Sequence, residues 1–229
     1  MEQHQVVIYQ YNNPEELIHE MVTELTQRIK DILSQKHQFD IALSGGKSPL
    51  PLFHKLSQAP DISWEKGIVH LIDERWVPKT SDDSNEKLIS SEFIAKTQPA
   101  PRFKGLYNPS LDCRSAMEKL SACPPELDIG VLGMGLDGHT ASIFPDSEEF
   151  SHLLETSQHY SCCHPQNAPH QRATTTLKGL TEIKHLYLYI PGKDKMEKFR
   201  DIQNNLSLVS PLQALTKIRP TPLYVFTCN

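Results

Sequence analysis

The sequence predicts an α/β fold, a single three-layer domain over residues 1–229 with a mainly parallel sheet and helices on both faces. Three observations predict it. Short apolar runs alternate with helix-patterned stretches along the chain, as in strands joined by crossover helices. Three of those runs end in glycine-rich or charged turns, at residues 44–48, 73–75 and 133–139, the carboxyl strand ends where open α/β sheets hold their ligands. No internal repeat, low-complexity tract or linker divides the 229 residues, a length suited to one large domain.

Residues 6–9 form a β-branched and aromatic run, and Asn12-Asn13-Pro14 follows, with Asn13 placed to cap a helix and Pro14 to fill its first turn. From Glu15 onward, Leu17, Ile18, Met21, Val22, Leu25, Ile29, Ile32 and Leu33 keep the spacing of one helical face. Residues 39–43 read as a buried strand ending in Ser44-Gly45-Gly46-Lys47-Ser48-Pro49, with a helical pattern through Leu52, Phe53 and Leu56. Residues 68–72 form the next strand and deliver Asp73-Glu74-Arg75 at its end. A polar loop at 81–85 places Ser84 or Asn85 to cap a helix through Leu88, Ile89, Phe93 and Ile94. The proline-rich residues 97–110 read as a surface excursion, 111–120 as a helix, and 127–132 as the strand leading into the third glycine turn. Beyond it, the pattern predicts a short helix near 147–154, a strand near 159–163, a β-prone run at 174–176, a strand at 185–190, a helix at 192–203 and a terminal strand at 223–227.

Bulk properties narrow the partners. A net charge of −5 offers no overall attraction to nucleic acid or to an anionic membrane, so a small-molecule partner is expected. No 18-residue apolar run occurs, and residues 1–10 lack the basic and apolar pattern of a leader. The five cysteines, Cys113, Cys123, Cys162, Cys163 and Cys228, show no C-x-x-C or zinc-finger spacing. Reduced thiols, a cytoplasmic location and no structural metal are therefore expected. The composition leaves the oligomeric state open between a monomer and a weak homo-oligomer.

The three strand ends carry the chemistry. The turn Ser44-Gly45-Gly46-Lys47-Ser48 opens onto a helix and offers backbone N–H donors to a phosphate or carboxylate, without the spacing of a nucleotide-binding loop. A plain turn is the competing explanation for that motif alone. Strand alternation lets Asp73 and Arg75 face one crevice while Glu74 points away, and Arg75 would form a fork for phosphate. In Gly133-Met134-Gly135-Leu136-Asp137-Gly138-His139, the imidazole of His139 supplies the acid–base group, since histidine titrates near neutral pH. The other ten histidines fall in stretches read as helices or polar loops without glycine turns, and most of them read as solvated or structural. Arg172, Lys195 and Lys47 are further anion-binding candidates.

These residues together resemble the 6-phosphogluconolactonases. The resemblance runs over most of the chain: Leu43-Ser44-Gly45-Gly46 with Pro49, Asp73-Glu74-Arg75-Trp76-Val77-Pro78, Ser84-Asn85, Arg172, Gly192 with Lys195, and above all the block from Gly133 to Pro145. It implies a Rossmann-like sheet of the sugar-phosphate isomerase type. It also implies metal-independent and cofactor-free hydrolysis of 6-phospho-D-glucono-1,5-lactone to 6-phosphogluconate in the oxidative pentose phosphate pathway. In that scheme His139 acts on water and then on the departing ring oxygen, Asp137 or Asp73 orients the imidazole, and N–H groups of the turn glycines Gly135 and Gly138 stabilise the oxyanion. Arg75, Lys195 and Arg172 hold the phosphate, with the 44–48 turn as its cradle. One departure from the family pattern Ser-Gly-Gly-Ser-Thr-Pro is visible, Lys47-Ser48 before Pro49. Glucosamine-6-phosphate deaminases share the Asp-Gly-His element but continue it to a glutamate, where this chain has Thr140-Ala141-Ser142-Ile143-Phe144, and they tend to an aromatic residue where it has Arg75. A non-catalytic sugar-phosphate sensor is the alternative from another class, and the presence of both Asp137 and His139 weighs against it.

Overall fold

The computed structural model describes residues 6–205 and 210–229. Residues 1–5, on which the reading for a leader falls in part, lie outside them.

The first helix shows how closely local chemistry sets the elements. Strand β1 (Val6–Tyr11) leads to α1 (Pro14–Gln35), where the Asn13 side chain accepts a hydrogen bond from the Glu16 N–H and Pro14 fills the first turn. Leu17, Met21, Leu25 and Ile29 form its fully buried stripe. Then come β2 (Phe39–Leu43), α2 (Leu50–Ser57), β3 (Gly67–Leu71) and β4 (Asp73–Arg75). Helix α3 (Asn85–Glu92) is capped by Ser84, whose hydroxyl accepts from the Lys87 N–H, so Ser84 rather than Asn85 is the cap. The chain continues through β5 (Arg102–Lys104), α4 (Cys113–Ala122), β6 (Ile129–Leu132), α5 (Phe150–Glu155), β7 (Tyr160–Cys163) and β8 (Arg172–Thr175). It ends with α6 (Leu177–Glu182), β9 (His185–Pro191), α7 (Lys193–Asn204), α8 (Pro211–Ile218) and β10 (Leu223–Cys228).

Seven strands pair in the order β1-β10-β9-β6-β2-β3-β5, every pair parallel. Strand alternation splits neighbouring residues between two cores. Ile41, Leu43, Val69, Leu71, Tyr187 and Tyr189 pack with α1 and α2, whereas Ala42, Leu132, Leu186, Leu188 and Ile190 pack with α6, α7 and α8. This is the three-layer arrangement expected from the sequence. A second sheet, β4-β8-β7, is antiparallel and carries Asp73 to Arg75 away from the main one.

Connectivity runs outward in opposite directions from the central pair β2 and β6, to β3 on one side and to β9 on the other. The crevice at such a switch point opens at the carboxyl ends of both strands. There the turns after β2 and β6 lie side by side, with Ser44 N–H donating to the Val131 carbonyl at 3.0 Å.

Four expectations need correction. The 97–110 segment is not only a surface excursion, because β5 pairs with β3 at the sheet edge. Helix α8 has no counterpart among the elements expected from the sequence. His70 lies in neither a helix nor a polar loop: it is a structural histidine buried in β3, its Nε2 2.7 Å from Asp40 Oδ1. The cysteines are not all reduced thiols, since Cys113 and Cys162 form a disulfide. An odd count says nothing about proximity, and the packing of α4 on β7 brings these two Cα atoms to 6.3 Å, within bridging range. Among the described residues, no helix is long and apolar enough to cross a membrane.

Candidate active site

The crevice holds a cavity of about 330 Å³ into which all three strand-end motifs converge. The turn after β2 contributes Ser44 to Ser48. Gly46 adopts φ +97°, a conformation that L side chains rarely take, and a Cβ there would meet nothing within 4 Å, so the turn faces open space. From the opposite direction in sequence, Lys195 reaches this turn and donates to Ser48 Oγ at 3.1 Å. Burial holds the Lys195 ammonium below its usual pKa, which an anion beside it would reverse.

Strand β4 separates its three side chains by function. Glu74 is fully buried and points away from the cavity, accepting from the N–H groups of Arg75, Asn85 and Glu86 and from Ser84 Oγ. It thereby anchors the amino end of α3. Burial nonetheless pushes its carboxyl up. Asp73 and Arg75 line the cavity. Arg75 lies directly opposite Arg172 in the β4–β8 ladder, an unfavourable placement for like charges. Arg172 is pulled down in pKa by burial and next by the Arg75 guanidinium, and its Nε is buried with no partner among the described residues. Two crowded guanidiniums with an unused donor are suited to an anion.

The turn after β6 presents His139. Its Nδ1 lies 2.6 Å from Asp137 Oδ1, and its ring stacks on Phe144 with centroids 4.2 Å apart. The hydrogen bond from His139, opposed by partial burial, keeps the Asp137 carboxyl below its usual range. An ionised Asp137 accepts a hydrogen bond from Nδ1–H, and in that tautomer Nε2 is the basic nitrogen. Arg172 covers the same phenyl ring at 5.6 Å, so Phe144 lies in contact with both the imidazole and the guanidinium. The turn is clasped by Thr140 Oγ1 donating to the Gly133 carbonyl, and Ala141 holds a left-handed φ of 52°. Such strain in a non-glycine residue is characteristic of functional sites.

Over residues 12–221 the chain matches the family of glucosamine-6-phosphate isomerases/6-phosphogluconolactonase. It belongs to that family. A 6-phosphogluconolactonase of Mesorhizobium japonicum is 34% identical over 208 residues, which cover 88% of this chain and 87% of that one. That of Pseudomonas aeruginosa is 36% identical over 183 residues, covering 77% and 76%. A crystal structure of a 6-phosphogluconolactonase from Shewanella baltica superposes with a TM-score of 0.90 at 30% identity, covering 98% of each chain.

Within this family's crevice, the carboxylates of the cavity wall are Asp73 and Asp137. They are not equivalent. Asp73 Oδ2 accepts from Ser142 Oγ at 2.6 Å, so it is Asp137 that holds the imidazole. The sequence left these two open. The N–H groups of Gly135 and Gly138 are occupied inside the turn, bonded to the His139 and Gly135 carbonyls at 3.0 Å. In this conformation neither is free to serve as an oxyanion donor, because closing so tight a turn consumes its own amides. Gly135 instead gives room, since a Cβ there would stand 2.4 Å from His139 Nδ1. The sequence pattern assigned no role to Phe144 and offered Asn85 only as an alternative to Ser84 for capping a helix. Both stand within the family-like motifs, and an aromatic two residues beyond a Ser in a reactive turn was the signal for the first.

Proposed function

We propose that this chain hydrolyses 6-phospho-D-glucono-1,5-lactone to 6-phosphogluconate, the lactonase step of the oxidative pentose phosphate pathway, with His139 as general base. The observation that carries it is the His139–Asp137 pair at the wall of a cavity that also holds Lys47, Arg75, Arg172 and Lys195. Family membership and the lactonase relatives support the substrate class. Nε2 of His139 takes a proton from water as the water oxygen bonds to the lactone carbonyl carbon. Asp137 stabilises the imidazolium that results. The tetrahedral intermediate then collapses, the bond from the carbonyl carbon to the ring oxygen breaks, and the imidazolium returns its proton to that oxygen. Lys195 with Ser48 and the Arg75–Arg172 pair supply charge for the phosphate and for the oxyanion, in a partly desolvated site where such charges act strongly. Fixing the phosphate positions the carbonyl against the base.

The deaminase alternative needs a carboxylate a few residues beyond the histidine, and the corresponding run here, Thr140-Ala141-Ser142-Ile143-Phe144, carries none. Replacing His139 by Ala is expected to lower kcat by roughly two to four orders of magnitude, the usual scale for an acid–base group. The check is a lactone-hydrolysis assay coupled to 6-phosphogluconate dehydrogenase, at a pH low enough to slow the spontaneous reaction. A variant with near-normal kcat after subtraction of the background overturns the assignment.

A further inference from the structure

One wall of the cavity carries polar atoms that the proposed chemistry leaves unused. Asn85, the first residue of α3, lines the cavity and is only 2% exposed. Its backbone N–H donates to Glu74 Oε1 at 2.7 Å, and its Nδ2 donates to the Asp73 carbonyl at 2.9 Å. A carbonyl can only accept, so this bond fixes which end of the amide is nitrogen. The other end, Oδ1, is buried with no hydrogen-bond partner among the described residues, as is Ser44 Oγ on the same cavity. Gly45 makes room for it, because a Cβ there would stand 2.0 Å from Oδ1. Native proteins seldom bury an acceptor and leave it unpaired, so a donor from a bound molecule is the natural complement.

The chemistry of that donor is set by what an amide oxygen excludes. Oδ1 accepts and cannot donate, so it repels a phosphate oxygen and a lactone carbonyl alike. The groups of a phosphorylated hexonolactone that can donate are its ring hydroxyls. Resting on the substrate class proposed above, we infer that Asn85 Oδ1 accepts a hydrogen bond from one ring hydroxyl of the lactone and makes Asn85 a specificity-determining residue. Glu74 and Gly45 serve this role indirectly, the first by anchoring the backbone of Asn85 and the second by clearing space for its oxygen.

The test compares kcat/KM for the parent lactone with that for its 2-, 3- and 4-deoxy analogues, prepared by oxidation of the deoxy sugar 6-phosphates. The wild type is expected to disfavour one analogue by roughly 10- to 100-fold, because a site built around a hydroxyl rejects the ligand lacking it. In Asn85→Ala the parent should fall by a similar factor and that analogue no further, which erases the discrimination. Gly45→Ala should erase it from the other side, by displacing Oδ1. Thermal melts of both variants establish that they are folded. A wild type indifferent to all three hydroxyls overturns the proposal. So does a variant that loses all four substrates equally, since that pattern marks a residue holding the attacking water or the fold. Calorimetric binding of 6-phosphogluconate and its deoxy analogues reads the same preference without turnover. A chain that binds these acids with hydroxyl selectivity but hydrolyses no lactone would refute the proposed reaction and leave the hydroxyl contact standing.

Discussion

At the scale of single residues, the decisive feature is how little space surrounds the base. His139 is held by Asp137 at Nδ1, by Phe144 against one ring face, and by Gly135 beneath the pair. A Cβ on Gly135 would lie 2.3 Å from Asp137 Oδ1 and 2.5 Å from His139 Cε1, well inside van der Waals contact. Gly135 is not needed for a left-handed backbone, unlike Gly138 at φ +89°. Gly135→Ala therefore tests position alone. Displacement of the imidazole by about an ångström is expected to lower kcat by roughly 100-fold, the scale on which catalysis responds to misplacement. The melting temperature should change little, since the displaced side chains are partly exposed. Steady-state kinetics alongside a thermal melt reads both quantities. Full activity in a folded Gly135→Ala protein would show that this pair does not perform the chemistry.

At the scale of elements, what was legible depended on how locally each element is determined. Helix α1 could be read because Asn13, Pro14 and a stripe of four apolar residues act within the helix itself. The three functional turns could be read because strand-end logic needs only an apolar run and the few residues after it. Strand β5 could not, since Arg102, Phe103 and Lys104 have no strand pattern and extend only because the free edge of β3 offers partners. The same limit applied within the site. Which Asp meets His139 depends on Ser142 claiming Asp73, a contact between residues 69 positions apart. The Asp40–His70 pair is another product of strand adjacency, hidden between β2 and β3. Burial raises the Asp40 carboxyl, but the hydrogen bonds from His70 and Gln38, with the charges of His70 and Lys36, bring it below its ordinary value. A carboxyl depressed by folding adds stability above its unfolded pKa of about 3.9 and loses that stability as the pH falls through the folded value. Asp40→Asn should thus be less stable than the wild type near pH 7, with the gap closing below about pH 4. Urea unfolding at a series of pH values measures that gap. A gap constant down to pH 3 would show that the ion pair contributes nothing dependent on ionisation.

At the scale of the whole molecule, the three-stranded sheet must stay docked for the crevice to exist, because β4 brings Asp73 and Arg75 and β8 brings Arg172. The Cys113–Cys162 bridge joins α4 to β7, the far strand of that sheet, across 49 positions of sequence. It does not touch the cavity. A cross-link closing a loop of this length stabilises a protein by up to about 4 kcal/mol through the entropy it removes from the unfolded chain. For a chain of this size each kcal/mol corresponds to roughly 2–4 °C in melting temperature. Dithiothreitol, or Cys162→Ser, is therefore expected to lower the melting temperature by about 10 °C while leaving kcat at 25 °C near the wild-type value. Cys162→Ser should then show no further response to reductant, which separates the bridge from Cys123, Cys163 and Cys228. A melting temperature that ignores both treatments would mean the two sulfurs remain unbonded thiols in solution. A matching loss of kcat would instead mean that the small sheet loosens without its bridge and carries the Arg75–Arg172 pair out of register with His139.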